Sequence, residues 1–227
     1  MQLTRLEFNS VIMKKMKVLL SLLLFFVCVG NAVEVSAQGD KKSTAILEAM
    51  SAKYQKIKSF KAVFTYTPEG GKALKGDVTV KGTKFRLKMA GQEIFNDGKL
   101  MSTYIKETNE VNVQDFDPTA TGDLDPTKIY SAYKKGFKYT FVDEKKVGNQ
   151  VLETVELTPT GKNSQVNKVQ IQVNKSDKSI ASWKIFPKSG AKVTYKVEQF
   201  QPDVNVAEAF FVFDKKQYPG VEVVDLR

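Results

Sequence analysis

Phe60-Lys61-Ala62-Val63-Phe64-Thr65-Tyr66-Thr67, closed by Pro68-Glu69-Gly70-Gly71, decides how this chain is read. Phe60, Ala62, Phe64 and Tyr66 fall on one side of a period of two, and Lys61, Val63, Thr65 and Thr67 fall on the other. That alternation predicts a strand with one apolar face, and the Pro/Gly cluster predicts the turn that ends it. Just upstream the period is different. Ile46, Leu47, Met50, Tyr54 and Ile57 recur at helical spacing between Ser43 and Lys58, with Ser43 or Thr44 as the expected N-cap.

Downstream the period of two persists. Val78 and Val80 oppose Thr79 and Lys81; Phe85, Leu87 and Met89 oppose Lys84, Arg86 and Lys88. The pattern continues through Met101, Val111 and Val113, then Phe137, Tyr139 and Phe141, then Val155 and Leu157. It runs on through Val169 and Ile171, Trp183 and Ile185, to Val193, Tyr195 and Val197. Between these runs, Asp125, Pro126 and Gly136 bracket a second short helix with Ile129, Tyr130 and Tyr133 on its apolar face. The expectation is a mainly β chain of the α+β class. It is an open, curled antiparallel half-barrel of about ten to eleven strands, because a twisted sheet of that size does not stay flat. Each strand is apolar on one face only, so one face of the sheet needs a cover, and two short helices are available for it.

Composition removes several kinds of chemistry. The chain of 227 residues has no His and one Cys. A Ser-His-Asp or Cys-His nucleophile, a His-bound zinc and an imidazole acid/base are therefore excluded, as is an internal disulfide framework. The net charge of +10 comes from lysines scattered along strands and turns, with no Arg-rich stripe. That is a solvated surface rather than a nucleic-acid footprint. Ser131-Ala132-Tyr133-Lys134 and Ser189-Gly190-Ala191-Lys192 fit a Ser-x-x-Lys spacing, but such matches arise by chance in a Lys-rich chain and lack companion motifs. Asp115, Asp117, Asp123 and Asp125 crowd one loop, yet Ala120 and Pro126 stand where a calcium loop needs Gly and Glu. The expectation is a protein without catalysis, metal or cofactor.

The N-terminal part reads as an export signal. Met13-Lys14-Lys15-Met16-Lys17 is basic, Val18 to Gly30 is apolar, and Val35-Ser36-Ala37 is a small-residue cleavage pattern. The apolar run is shorter than a membrane-spanning helix requires. Cys28 lies inside it without the small preceding residue that lipid attachment needs. Residues 1–37 are thus expected to be a signal peptide, with translation starting at Met13 or Met16, and 38–227 a single exported domain, soluble and monomeric.

What remains as a functional candidate is the apolar phase of the alternation. It collects Phe64, Tyr66, Val78, Val80, Phe85, Leu87, Met89, Met101, Val111, Val113, Phe137, Tyr139, Phe141, Val169, Ile171, Trp183 and Ile185. In a curled sheet these form a concave surface for acyl chains or an ordinary core. Ile46, Met50, Tyr54, Ile129 and Tyr133 would be the helical side chains that cover it.

From about Ser43 to Arg227 the chain resembles the periplasmic outer-membrane lipoprotein carrier family, LolA. The resemblance lies in Lys58-Ser59-Phe60-Lys61-Ala62 followed by Phe64, in Gly76 to Gly82, and in Asp97-Gly98-Lys99 with Tyr104. Glu110-Val111 and the Pro126, Ile129, Tyr130, Tyr133 spacing add to it. The tail from Phe211-Val212-Phe213-Asp214 to Tyr218-Pro219-Gly220-Val221-Glu222-Val223-Val224-Asp225-Leu226-Arg227 is its most distinctive part. The resemblance implies a half-barrel with a helical lid and a periplasmic shuttle for acylated lipoproteins. It also implies an inner-membrane ABC transporter as donor and an outer-membrane acceptor. The strand-end Arg-Pro that latches the lid in the family is absent: the matching stretch is Val80-Lys81-Gly82-Thr83-Lys84, and alternation puts Arg86 on the outer face. Two rivals stay open: a lipoprotein-sensing regulatory protein on the same fold, and a secreted hydrolase using paired carboxylates.

Overall fold

The computed structural model describes residues 39–117, 130–134, 136–161 and 164–227. The expected signal segment, Ile129 and the start of the expected second helix lie outside them. Among the described residues one α-helix, α1 (Lys41–Gln55), precedes a single 12-stranded sheet. In chain order the strands are β1 (Ser59–Pro68), β2 (Leu74–Lys81), β3 (Lys84–Met89), β4 (Gln92–Asn96), β5 (Leu100–Ile105) and β6 (Glu110–Asp115). They continue with β7 (Phe137–Val147), β8 (Gln150–Pro159), β9 (Val166–Asn174), β10 (Ile180–Pro187), β11 (Val193–Pro202) and β12 (Glu222–Asp225).

In space the strands lie in the order β12-β6-β5-β4-β3-β2-β1-β11-β10-β9-β8-β7. Two hairpin meanders are thus joined where β1 pairs with β11, and every pairing is antiparallel except β12 with β6. The strand count exceeds the expected ten to eleven. The short β4 hides between two turns, and β12 belongs to the tail, whose Val-Val alternates with nothing.

The helix also starts earlier than its apolar residues do. Asp40 is the N-cap: its carboxylate accepts from the Lys42 and Ser43 amides at 3.0 and 2.9 Å. Ser43, the expected cap, instead donates its hydroxyl back to the Asp40 carbonyl. The first turn is Lys41-Lys42, which carries no apolar signal. In the region of the second helix, the described part is a 3-10 turn at Ala132–Lys134.

α1 lies along the concave face and buries Ile46, Leu47, Met50 and Tyr54. They meet Tyr133, Phe137, Tyr139, Val155, Leu157, Ile171, Val173 and Ile180 in one cluster. Leu47 and Met50 are fully enclosed, which places the strongest hydrophobic contribution here. A second cluster, around Ala62, Phe64, Val78, Val80 and Phe85, occupies the same face on β1 to β3. Phe200 packs against both, its ring 5.2 Å from Phe60 and 5.4 Å from Tyr54, so the curl of the sheet brings the two clusters together.

Beyond β3 the apolar layer changes sides. Tyr104 pairs with Val111 and Ser102 with Val113, while Thr103 pairs with Asn112 and Met101 with Gln114. Cross-strand partners share a face. Val111 and Val113 therefore sit with Tyr104 on the convex side and not in the concave surface, a correction to the sequence reading. Their own alternation is intact; what the sequence does not carry is the register that links it to β5. The convex valines find their cover in the C-terminal segment. A 3-10 turn at Glu208–Phe211 and another at Lys215–Gln217 lay Phe211, Phe213 and Tyr218 on this side. Phe95 meets Phe213 and Tyr218 edge-on at 5.6 and 6.2 Å, and Arg86 stacks over both Phe95 and Phe210. Arg86 is on the outer face, as alternation predicts.

Candidate functional site

Register assembles the concave surface in rows. Phe141 lies beside Val155, Val155 beside Ile171, Ile171 beside Trp183 and Trp183 beside Tyr195. Tyr195 lies beside Tyr66, and Tyr66 beside Leu74. One belt thus crosses seven strands, from β7 to β2. Next to it runs a row of Tyr139, Leu157, Val169, Ile185 and Val193. On the far side, Val78 pairs with Leu87 and Val80 with Phe85, and Met89 pairs with Gly76.

The expected residues divide by exposure. Phe64, Val78, Val80, Phe85, Met101, Phe137, Tyr139, Ile171 and Ile185 are buried. Tyr66, Leu87, Met89, Phe141, Val169 and Trp183 are half-buried. Leu74, on the same face, is 39% exposed. Among the helical residues, Ile46, Met50, Tyr54 and Tyr133 are buried against the sheet. A recess of about 490 Å³ opens at the flank of α1, lined by Glu48, Ser51, Ala52, Gln55, Tyr133, Lys134 and Tyr139. It touches the apolar surface only through the two tyrosines, so its mixed polar lining does not continue the belt.

Aromatic rings concentrate in the belt. Trp183 stacks on Tyr195 at 4.9 Å with planes 10° apart, and Tyr66 meets Tyr195 edge-on at 5.2 Å. Burial drives the Tyr195 phenol well above its ordinary range, so its hydroxyl stays neutral. Gly76 is what lets Phe64 lie flat: a Cβ there would come within 2.7 Å of the Phe64 ring and 2.9 Å of the Lys88 carbonyl.

Three contributors stand outside the set expected from the sequence. Tyr195 has the right phase, and only its neighbours across the sheet mark it as part of the site. Ile94 belongs to β4, which the sequence pattern does not reveal. Phe200 is out of phase with Val197, because a bulge in β11 opposite Val63 and Phe64 shifts the register by one residue.

α1 is tied to the sheet at both ends. Asp40 accepts from the Phe141 amide of β7 at 2.7 Å, and the Ser43 hydroxyl donates to the Tyr139 carbonyl. The Ser43 and Phe141 amides together hold the Asp40 carboxyl below its usual range. At the other end Lys53 donates to the Asp177 carboxylate at 2.8 Å, and the Ile180 amide donates to the Tyr54 hydroxyl at 3.0 Å. Burial opposes the charge of Asp177, but bonds from Lys53 and Ser179 prevail and bring its pKa down to about 2. Behind this end Glu153, only 4% exposed, pairs with Lys178 at 2.7 Å.

A single curled sheet with an apolar concave face and one helix laid along it defines a half-barrel binding fold. Within that class the chain belongs to the LolA family: the model for "Outer membrane lipoprotein carrier protein LolA" matches residues 55–214. Among solved structures, an uncharacterized conserved protein from Thermus thermophilus is similar, with TM-score 0.55 and 14% identity, over 82% of this chain and 99% of that one. A LolA superfamily protein from Nitrosomonas europaea matches with TM-score 0.36 and 13% identity, over 75% of this chain and 97% of that one. MucB of Pseudomonas aeruginosa, in its complex with MucA, matches with TM-score 0.48 and 13% identity, over 77% of this chain and 62% of that one. No curated protein matches the sequence. Among the described residues no helix is long and apolar enough to cross a membrane.

Proposed function

We propose that this protein is an exported, periplasmic carrier that takes the acyl chains of lipoproteins onto its concave face and passes them on. The observation that carries the reading is the belt from Phe141 to Leu74. It is continuous over seven strands, yet Tyr66, Leu74, Phe141 and Trp183 keep part of their surface uncovered, as do Leu87 and Met89 of β3 on the same face. Membership of the LolA family supports the same assignment. Donor and acceptor would be membrane complexes of the kind the family uses, an inner-membrane ABC transporter and an outer-membrane receptor. The domain from residue 38 onward would act as a monomer after its signal segment is removed.

Energetics favour partial cover over full enclosure. A buried methylene contributes about 0.8 kcal/mol, so a chain of roughly 15 methylenes would be held by about 12 kcal/mol. A face whose own side chains pack together when empty recovers part of that contact on release, which allows hand-over.

The test is native mass spectrometry of the protein purified from periplasm, paired with cargo transfer from membrane vesicles. Acylated polypeptide on the wild type, and its loss in a folded Leu87→Glu variant, is the expected result. If every concave-face variant unfolds and none selectively loses transfer, the surface is an ordinary core and the carrier reading fails.

A further inference from the structure

Trp183 is the only tryptophan of the chain. Its ring lies in the middle of the concave belt, between Ile171 and Tyr195, and its indole Nε1 is buried without a hydrogen-bond partner. A buried donor left unpaired is costly, and native proteins rarely keep one without a use for it. The surrounding concave positions are apolar or aromatic: Val169, Ile171, Ile185, Val193, Tyr195 and Tyr66. No Lys, Arg, Asp or Glu stands on the concave face of β9, β10 or β11 among the described residues, so nothing there would balance a charge.

We propose that the Trp183 indole N–H is a recognition point for the neutral carbonyl of an acyl ester or amide seated on the concave face. The assignment rests on the carrier reading above and makes it more specific. An uncharged indole N–H, flanked by the neutral phenols of Tyr66 and Tyr195 among aliphatic and aromatic walls, satisfies a carbonyl oxygen. It does not satisfy a carboxylate, which would bury its charge without a cation. The stack on Tyr195 holds the indole plane, and neighbouring side chains cover Nε1 in the unliganded structure, so an arriving ligand meets the donor as those side chains move aside. Acyl chains joined through ester or amide bonds are therefore preferred over free fatty acids and over hydrocarbon of equal length. The carbonyl, where a chain joins its headgroup, would set how deep the chain sits.

A single tryptophan gives a single indole resonance, which makes the test direct. Nitrogen-15-labelled protein is titrated with methyl nonanoate, nonanoate and decane, with binding read by displacement of an apolar fluorescent dye and hydrogen bonding by the indole proton shift. The expected outcome is that methyl nonanoate and decane both displace dye, but only the ester moves the indole proton downfield. The ester should bind about fivefold better than decane, the worth of one neutral hydrogen bond. Trp183→Phe should lose that advantage while its decane affinity stays. Ligands that displace dye and leave the indole resonance where it was would overturn the proposal but spare the carrier reading, as would a Trp183→Phe protein that keeps the ester preference. No dye displacement by any of the three would remove both.

Discussion

The two halves of the sheet solve the same problem on opposite sides. On β7 to β10 the apolar layer faces inward and α1 covers it, with Leu47, Met50, Val155 and Val173 fully enclosed. On β4 to β6 the inner face turns partly polar, with Thr103, Asn112 and Gln114, and the enclosed residues are outside: Phe95, Val111 and Phe211. There the cover is the chain's own tail. The difference matters for function. A helix laid on the concave face competes with a ligand for the same surface, whereas a tail packed on the convex face stabilises the sheet without occupying the interior.

The largest effects should come from deleting the cover on either side. Phe211→Ala removes a fully buried ring from the convex cluster and should destabilise by about 3–5 kcal/mol. Leu47→Ala, at the centre of α1, should cost about 2–5 kcal/mol. Urea unfolding of both variants checks the equivalence of the two covers. A loss below about 1 kcal/mol for Phe211→Ala would show that the tail is an appendage and the comparison false. The two should differ in function: Leu47→Ala should change binding of an apolar dye, and Phe211→Ala should leave it unchanged at a temperature where both are folded.

The convex side also holds a compact ionic group. Glu93 accepts from Arg86, from Lys88 at 3.0 Å and from the Tyr218 hydroxyl at 2.8 Å. Burial works against its charge, but these donors prevail and hold its carboxyl below the usual range. Burial, and then its bond to Glu93, pushes the Tyr218 phenol up to about 12. Tyr218→Phe should cost about 1.5–3 kcal/mol, the worth of a hydrogen bond to a charged acceptor, measured by thermal melting.

A smaller effect should mark the helix end. Asp177 has its pKa lowered from 3.8 to about 2. Its folded value is below its unfolded one, so it contributes stability above about pH 4 and loses it as pH falls through the interval from about 4 to about 2. The pair with Lys53 is largely exposed, so the loss should be under about 1 kcal/mol. Asp177→Asn should flatten that part of the stability profile, and a profile unchanged by the substitution would show that the ion pair does not anchor α1. The smallest effect is expected from Val113→Thr. It changes a half-buried convex position and should leave dye binding at the wild-type level; a clear loss would mean that Val113 reaches the interior after all.

Much of this is legible in residues such as Phe85, Leu87 and Met89, whose alternation with Lys84, Arg86 and Lys88 is reproduced strand by strand. Alternation alone puts Arg86 outside, and the structure agrees. The alternation fails at Val111 and Val113 because a period of two says which residues share a face, never which face is inside. Phe200 escapes because a bulge breaks the period, and Ile94 because five residues between turns carry too little pattern.

By itself, then, the sequence determined the local states: a 3.6-residue period gives α1, a two-residue period gives the strands, and Asn-Asp-Gly or Pro-Glu-Gly-Gly gives the turns. Those are short-range consequences of backbone geometry and side-chain polarity. Tertiary structure alone decided the seam where β1 meets β11, the side on which β4 to β6 bury their apolar residues, and the recruitment of the tail as a second cover. Each depends on register between segments far apart in the chain. Register is selected by the burial of the whole sheet and not by any one strand.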